Sequence, residues 1–279
     1  MQWRGRRATG HRVRRPAMST GWMVATVTLL MTLVAVMWPM ASAAPAAVMP
    51  SALVTVIPAA RAPAVGALFS TSGGRLGSHF CTASVVDSPA GDLLVTAAHC
   101  VAGYSDAAPS GLAFGPAYDN GSAPYGIWKV TRIFVDSAWT SGADPDDDVA
   151  FLAVARRGSG RAIEEVTGGE RLGIGQPAAS IVRVTGYPDT GGQAISCQSR
   201  TIAFSSTQLE FDCDNFTNGT SGGPFLIDAG VAIGAATVIG VIGGYQQGGD
   251  SADISYSAVF GQNVRALYER ALDETAARG

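Results

Sequence analysis

The sequence predicts an all-β protein built from two six-stranded antiparallel β-barrels, with one α-helix at the C-terminus. Short runs rich in Val, Ile, Thr and Phe recur between clusters of Gly, Pro, Asn and Asp, which is typical of strands joined by turns. The 279 residues are 47% hydrophobic and 15% charged, a composition that indicates a folded chain with a full core. The strand-like runs form two groups of about six, each with one pair of cysteines, and this grouping favours two barrels.

The predicted elements follow this division in chain order. The first group of strand-like runs comprises residues 65–69, 79–86, 92–97, 126–135 and 149–154. The second group, after a polar glycine-rich connection over 156–179, comprises residues 180–187, 194–204, 208–213, 224–227, 231–244 and 254–260. Val264, Leu267, Tyr268 and Ala271 have helical spacing and predict an amphipathic helix. We therefore expect the first barrel over 63–160, the second over 161–260 and the helix over 261–276.

The N-terminal residues have the pattern of a signal peptide. Residues 1–22 contain six arginines and no acidic residue, and an apolar run follows over 23–38. The small residues Ala41-Ser42-Ala43 then predict cleavage after Ala43, and hence a secreted protein. Residues 44–62 are rich in Ala and Pro, as in a linker or short propeptide, and precede the domain at 63–279. The alternative is an uncleaved run that anchors an extracytoplasmic domain in the membrane.

The charge of the predicted mature chain argues against a nucleic-acid partner. Removal of residues 1–43 takes six of the nineteen basic residues, which leaves thirteen against twenty-two acidic residues, a formal charge of about −9. Lys129 is the one lysine of the sequence. Such a chain has no basic surface of the kind that binds phosphates.

Four cysteines in an exported chain predict two disulfides. The spacing favours local pairs, Cys81 with Cys100 and Cys197 with Cys213. The alternative is a four-cysteine metal site, for which C-x-x-C pairs would be expected, and the sequence has none. We therefore expect disulfides and no metal.

The motif VTAAHC, residues 95–100, places a histidine at the end of an apolar strand. The small residues before His99 allow close backbone packing, and Cys100 can tie its turn to Cys81. A lone structural histidine in a turn is the alternative. His79 also lies beside a cysteine, but it begins a strand and has no such platform.

The motif DPDDDVAFLAV, residues 144–154, crowds four aspartates at the start of an apolar strand. Asp148 is the last of them and is expected to be buried, and a buried carboxylate needs a partner such as a histidine N–H. Asp147 is the weaker alternative. The aspartates could alternatively cap the start of the strand or form a calcium-binding loop. An EF-hand loop, however, would need a glycine and a bidentate glutamate that are missing here.

The stretch TNGTSGGPF, residues 217–225, surrounds Ser221 with glycines. His99, Asp148 and Ser221 thus supply a base, an orienter and a nucleophile in the order His, Asp, Ser. The G-x-S-x-G pattern at 219–223 also fits the nucleophile elbow of α/β-hydrolases, which requires the histidine after the serine. All three histidines precede Ser221, so this alternative fails.

The motifs TAAHC, D-V-A and GTSGGP resemble those of the chymotrypsin-like (trypsin-fold) serine peptidases over nearly the whole predicted mature chain. HFCTASVV, GYP at 186–188 and CDN before the serine loop are similar to the bacterial secreted branch that includes glutamyl endopeptidases. The resemblance implies an active site in the cleft between the barrels and a polypeptide substrate. It also implies an acyl-enzyme on Ser221, with His99 as base, Asp148 as orienter, and the N–H groups of Gly219 and Ser221 as oxyanion hole.

This chemistry requires no cofactor, and we expect a monomer whose activity rises towards neutral and alkaline pH as His99 loses its proton. A protease-shaped binding protein without activity is the alternative from another functional class. Thr220 stands where digestive members have an aspartate that pairs with a new N-terminus. We therefore expect activity without a second activating cleavage.

For substrate binding, the resemblance implies a pocket built from about 214–217, the strand 241–245 and the turn 248–249. The predicted pocket residues include Asp214, Asn215, Gly243, Gly244 and Tyr245. Asn215 occupies the position of the trypsin-type aspartate, and no histidine follows residue 99. The sequence therefore argues against a strong preference for glutamate.

Overall fold

The computed structural model describes residues 55–56, 62–106, 109–156, 158, 160–229 and 236–277, all within one compact unit. The predicted signal peptide and its apolar run lie outside the described residues, as does most of the predicted linker. Within the described ranges, no helix has the length and hydropathy that a bilayer crossing requires.

The first half of the domain is a closed six-stranded antiparallel barrel. Its strands are β2 (Val65–Ser72), β3 (Arg75–Val86), β4 (Leu93–Thr96), β5 (Leu112–Pro116), β6 (Trp128–Val135) and β7 (Ala150–Ala155). Around the barrel they have the order β2-β3-β4-β7-β6-β5. Large side chains fill the interior, among them the fully buried Leu68, Phe114, Trp128 and Phe151. The predicted first barrel is therefore confirmed, with β5 as a strand that the sequence analysis did not identify.

The second half contains two hydrogen-bonded sheets over a shared core. Its strands are β8 (Arg171–Leu172), β9 (Ile181–Gly186), β10 (Ile195–Arg200), β11 (Ile202–Ala203), β12 (Gln208–Asp212), β13 (Pro224–Ile227), β14 (Thr237–Val241) and β15 (Ile254–Ala258). With the N-terminal strand β1 (Thr55–Val56), one sheet has the order β1-β10-β9-β13-β14-β8, and the other has the order β11-β12-β15. Val184, Phe211, Phe225 and Ile239 from both sheets pack together in the core. The all-β class and the division into two strand-rich halves agree with the prediction.

The predicted strand over 194–204 is two strands because Thr201 interrupts it. Thr201 is fully buried, and its hydroxyl accepts a hydrogen bond of 3.0 Å from the N–H of Ser180. The chain turns at this residue and passes from one sheet to the other, as strands do at the corners of packed sheets. This break separates the second half into two sheets.

The edge strand β1 (Thr55–Val56) lies within the segment predicted as a linker. It pairs antiparallel with β10, Thr55 opposite Ser196 and Val56 opposite Ile195. At least this part of the Ala/Pro-rich segment therefore belongs to the sheet of the second half.

The C-terminal helix is α3 (Gln262–Ala276), after two short helices, α1 (Ser137–Gly142) and α2 (Glu164–Thr167), that the sequence analysis did not predict. Val264, Leu267 and Ala271 on α3 are buried, as their spacing predicted. The Tyr268 hydroxyl of α3 donates a hydrogen bond of 2.5 Å to the Asp87 carbonyl. This face docks the helix on the first barrel.

Glu170 lies where the chain passes from the first barrel to the second half. Its N–H donates to the Val85 carbonyl at 2.9 Å, and its carbonyl accepts from the Asp87 N–H at 2.9 Å. The side chain is 6% exposed, and its Oε2 has no hydrogen-bond partner among the described residues. Burial, together with the nearby Asp87 carboxylate, raises the pKa of Glu170 to about 7 against the opposing effect of Arg171.

We expect Glu170→Gln to stabilise the protein at pH 8 by about 2–3 kcal/mol and far less at pH 5. The folded state holds the Glu170 proton more tightly than the unfolded state, whose pKa is 4.5, so stability is lost as the pH rises from 4.5 to about 7. Urea unfolding at both pH values measures the effect. The control is Glu165→Gln, because that side chain is 57% exposed. Equal gains at both pH values would contradict the prediction.

Candidate active site

The first element of the candidate site is the turn that carries His99. Strand β4 ends at Thr96, and a short 3-10 helix over Ala98–Val101 follows at once, packed on buried alanines. A disulfide from Cys100 to Cys81 ties this turn to β3. The covalent link and the small residues before His99 hold the imidazole at the barrel edge.

Both predicted disulfides are confirmed, since Cys197 also pairs with Cys213. Each of the four sulfurs is therefore bonded to the sulfur of its partner cysteine, and none is available to a metal as a thiolate. The four-cysteine metal site considered above is thereby excluded.

Asp148 lies directly against His99. Asp148 Oδ2 is 2.7 Å from His99 Nδ1, and Oδ1 accepts a hydrogen bond of 2.8 Å from the His99 backbone N–H. Oδ2 also accepts from the Gly244 N–H at 2.9 Å. An ionised carboxylate only accepts hydrogen bonds, so Nδ1 carries the shared proton and Nε2 of the neutral ring is left as an acceptor.

The two side chains of this pair differ in their exposure to solvent. The Asp148 side chain is fully buried, whereas the His99 side chain keeps 13% of its surface exposed. A buried carboxylate is tolerated because three donors reach it, and the exposed part of the imidazole remains open to a ligand. The pair is thus suited to holding one tautomer of a reactive imidazole.

The neighbouring aspartates have other partners. Asp144 accepts from the Asp146 N–H at 3.0 Å and caps the turn Pro145–Asp147. Asp147 Oδ1 accepts from Asn263 at the start of α3 at 2.9 Å, and partial burial raises its pKa. Of the two carboxylates that the sequence left open, Asp148 is the one in contact with His99.

The serine loop has the conformation that its glycines allow. Gly219 and Gly222 have φ values of +93° and +80°. A Cβ at Gly219 would collide with the Asp189 N–H and the Tyr187 carbonyl, and one at Gly222 would collide with the Thr82 carbonyl. Only glycine fits at these two positions of the loop, because it lacks a Cβ and adopts positive φ freely.

The serine loop packs against the strands that lead to His99. The Ser221 carbonyl accepts a hydrogen bond of 2.7 Å from the Thr82 N–H of β3. A Cβ at Gly222 would also lie 3.2 Å from the Ala97 nitrogen, two residues before His99. The serine loop of the second half therefore lies against the edge of the first barrel that carries His99.

Backbone N–H groups beside the Ser221 hydroxyl make no hydrogen bond within the described part of the chain. Within the described ranges, neither the Gly219 N–H nor the Ser221 N–H donates a hydrogen bond, whereas the Gly222 and Gly223 N–H groups bond to the Ile242 and Thr220 carbonyls at 2.7 and 2.9 Å. Free N–H groups beside a serine can stabilise a negatively charged oxygen.

Thr220 is buried beneath this loop. Its hydroxyl donates to the Thr217 carbonyl at 2.7 Å, and a Cβ on Gly186 would lie 2.7 Å from the Thr220 Cβ. The side chain therefore stabilises the loop by a local hydrogen bond that needs no charged partner.

A cavity of about 350 Å³ opens beside Ser221. It is lined by Ile242 and by residues of the segments 189–190, 216–218, 220–221 and 247–252. Phe216, Thr217 and the turn 248–249, which the sequence analysis placed in the pocket region, are among them. Asp189 and Asp250, which the sequence analysis did not identify, also line the cavity.

The five residues predicted for substrate binding lie outside this cavity lining. Asp214 and Asn215 are exposed, and Asn215 adopts a left-handed conformation with φ of 69°. Gly243 and Gly244 pack against Asp148, and a Cβ on Gly243 would lie 3.0 Å from Asp148 Oδ2. Tyr245 is 39% exposed at the start of the turn Tyr245–Gly248.

His79 is part of the packing between the halves. It is 8% exposed, and its Nε2 lies 2.9 Å from the Pro188 carbonyl. The aromatic rings of Phe69, Tyr118 and Tyr187 surround it at centroid distances of 5.8 to 6.4 Å. This environment fits the structural role that distinguishes His79 from His99.

Residues 77–234, more than half of the chain, match the family model described as Trypsin-like peptidase domain. The chain belongs to the trypsin-like peptidase family. This trypsin-like peptidase is therefore a serine-type endopeptidase.

Solved structures share the fold of this trypsin-like peptidase. The protease Anisep from Arthrobacter nicotinovorans is 23% identical, with a TM-score of 0.64, over 79% of this chain and 100% of that chain. The thermostable serine protease AL20 from an extremophilic microorganism is 23% identical, with a TM-score of 0.64, over 77% and 99%. A Glu endopeptidase is 17% identical, with a TM-score of 0.61, over 81% and 99%. No curated protein matches the sequence.

Proposed function

We propose that this trypsin-like peptidase is secreted and hydrolyses peptide bonds through an acyl-enzyme on Ser221, with His99 as base and Asp148 as orienter. The contact of 2.7 Å between His99 Nδ1 and the fully buried Asp148 carboxylate carries the proposal. A buried acid that orients a partly exposed imidazole next to a glycine-rich serine loop is the arrangement that serine acyl transfer requires.

The proposed reaction has two stages, acylation of Ser221 and hydrolysis of the acyl-enzyme. Ser221 Oγ attacks the substrate carbonyl carbon and passes its proton to His99 Nε2, while the Gly219 and Ser221 N–H groups stabilise the oxyanion. His99 then gives that proton to the leaving amine, and the acyl-enzyme remains. A water molecule, deprotonated by His99, attacks the acyl carbon and releases the carboxylic acid product and Ser221.

A fluorophosphonate probe tests this proposal. We expect one covalent adduct per chain by intact mass, and peptide mapping should locate it on Ser221. His99→Ala should slow labelling by at least about 10³-fold, because the serine then lacks its base. No adduct, or an adduct at another residue, would support an inactive binding protein or a different nucleophile.

Secretion is tested by the N-terminus of the protein recovered from the producing cell. The two disulfides support an oxidising compartment outside the cytoplasm. We expect a mature chain that begins close to Ala44 and is recovered from the medium. A chain that retains residues 23–38 and sediments with membranes would support the membrane-anchored alternative.

The pocket beside Ser221 should disfavour a negatively charged substrate side chain. Asp189 and Asp250 line it, and the described lining contains no basic residue. The negative charges of these two residues repel a substrate carboxylate, so kcat/KM should be roughly three- to tenfold lower for Glu than for Gln in the pocket.

Matched peptides that differ only in this Glu or Gln measure the preference. Asp250→Asn should reduce the difference between the two peptides, because it removes one lining carboxylate. The control is Asp214→Asn, which removes an exposed carboxylate outside the lining. A larger change from Asp214→Asn than from Asp250→Asn would instead support the pocket predicted from the sequence.

A further inference from the structure

The serine loop contains an Asn-Gly dipeptide, Asn218-Gly219, just before the proposed nucleophile. In an asparagine, the backbone nitrogen of the next residue can attack the side-chain carbonyl carbon and close a succinimide ring. The attack is easiest when the next residue has no Cβ to obstruct it and when its N–H is not held in a hydrogen bond. Glycine meets the first condition because it has no Cβ.

Both reacting groups of this dipeptide are free in the folded protein. Asn218 is exposed, and its side chain makes no hydrogen bond to any residue that the structure describes. The Gly219 N–H likewise donates no hydrogen bond to the described residues. The Asn218 carbonyl accepts a hydrogen bond of 2.8 Å from the Asp189 N–H. Because this carbonyl and the Gly219 nitrogen belong to one peptide group, that bond makes the Gly219 N–H more acidic and its nitrogen easier to convert into a nucleophile.

A second Asn-Gly dipeptide, Asn120-Gly121, provides an internal comparison. It forms the tip of a tight turn, in which Asp119 and Ser122 exchange backbone hydrogen bonds of 2.9 and 2.8 Å. The Asn120 side-chain amide donates to the Asp119 carboxylate at 3.0 Å. Ring closure at Asn120 must break this bond, whereas Asn218 has no such bond to break. The folded structure therefore favours reaction at Asn218 over reaction at Asn120.

We infer that Asn218 is a modification site, at which ring closure onto the Gly219 nitrogen inactivates the peptidase with time. The Gly219 nitrogen bonds to Asn218 Cγ, and the bond from Cγ to Nδ2 breaks. The side-chain NH₂ group leaves as ammonia with the proton from the Gly219 nitrogen. Water then opens the succinimide at one of its two carbonyls and leaves either an aspartate or an isoaspartate. Water is the sole co-reactant of this sequence.

Each product impairs the proposed oxyanion hole, so the loss of activity rests on the proposed function. The succinimide nitrogen carries no hydrogen, so the Gly219 donor is lost. An isoaspartate adds a methylene to the backbone and shifts the Gly219 N–H relative to Ser221. An aspartate restores the N–H but places a negative charge beside the developing oxyanion. Loss of one oxyanion donor typically costs about 10²–10³-fold in kcat, so modified molecules contribute almost nothing to turnover.

Timed incubation at mildly alkaline pH tests the modification, because ring closure accelerates in proportion to the hydroxide concentration. Ser221→Ala serves for this measurement because it does not digest itself. Peptide mapping by mass spectrometry follows the conversion of amide to acid at Asn218 and at Asn120. We expect Asn218 to react roughly two- to tenfold faster than Asn120, which is the effect of one hydrogen bond.

Occupation of the oxyanion hole provides a second readout. In wild-type protein labelled with a fluorophosphonate, the phosphonyl oxygen accepts a hydrogen bond from the Gly219 N–H. Ring closure must then break that bond, so labelling should slow the modification of Asn218 by roughly two- to tenfold. The rate at Asn120 should not change. A purely structural account of the loop predicts no effect of the label.

The activity of the unlabelled wild type completes the test. Activity per intact chain should fall in step with the modified fraction of Asn218. Asn218→Gln should keep its own starting activity over the time in which the wild type loses half, because the longer side chain closes a less favourable ring. Asn120→Gln is the matched control and should lose activity as fast as the wild type.

An unmodified Asn218, or one that reacts no faster than Asn120, overturns the inference. Constant wild-type activity while Asn218 is converted overturns it as well. If Ser221 is labelled and peptides are cleaved but Asn218 stays intact, the modification inference alone fails. If Ser221 is not labelled and no peptide is cleaved, the proposed function fails, and mapping of Ser221→Ala still decides whether Asn218 is modified.

Discussion

Ser221→Ala should lower kcat for a peptide substrate by about 10⁴–10⁶-fold, because the nucleophile of the acyl-enzyme is lost. The hydroxyl makes no hydrogen bond within the described residues, so its removal leaves no buried partner unsatisfied. The unused N–H groups of Gly219 and Ser221 remain in the variant, and a small residual rate over water is expected. Turnover of a fluorogenic peptide, with active-site titration of the wild type, measures the loss.

The fold of this variant provides the necessary control. Thermal unfolding should be within a few degrees of the wild type, since a surface-accessible hydroxyl contributes little to stability. The matched substitution Ser110→Ala removes an exposed hydroxyl from the first barrel and should retain full activity. A Ser221→Ala variant that keeps more than about a tenth of the activity would exclude the acyl-enzyme mechanism.

Asp148→Asn should lower kcat by about 10⁴-fold, with little change in the shape of the site. The carboxylate accepts hydrogen bonds from the His99 backbone N–H, from Nδ1 and from the Gly244 N–H. A neutral amide has one acceptor oxygen and an NH₂ group that donates. If the NH₂ group faces Nδ1, then Nδ1 must act as the acceptor and the proton moves to Nε2, which is the wrong tautomer for a base. The imidazolium that forms during the reaction also loses its counter-charge.

Asp147→Asn distinguishes the two carboxylates that the sequence left open. Asp147 is paired with Asn263 on α3 rather than with His99, so this variant should keep kcat within about threefold of the wild type. Steady-state kinetics on both variants at pH 8 make the comparison. A large loss from Asp147→Asn, with Asp148→Asn almost unaffected, would reverse the assignment.

Local patterns were sufficient for much of the fold. Strands in the first barrel and helix α3 follow from alternating or helical spacing of apolar residues, because one face of each element must be buried. Strand β5 was missed because Gly115 and Pro116 interrupt its short apolar run. The corner at Thr201 was missed because a β-branched residue favours a strand locally, while its buried hydrogen bond to Ser180 depends on a distant segment.

The cavity beside Ser221 was the least predictable feature. Asp189 and Asp250 are 61 positions apart and come to one cavity only through the connections after β9 and after β14. Asp214 and Asn215 are near Ser221 in the sequence, yet both lie outside the lining. Proximity along the chain was therefore a poor guide to proximity in the cavity.

By itself, the sequence determined the chemistry that this chain can offer: the His99, Asp148 and Ser221 motifs, their order, the two cysteine pairs and the all-β class. These features depend on residue type and on spacing along the chain, so they can be recognised without knowledge of long-range contacts. Only the tertiary structure decided that Asp148 rather than Asp147 contacts His99 and that Asp189 and Asp250 share a cavity. Such contacts depend on how strands far apart in the chain pack, and no short stretch of sequence encodes that packing.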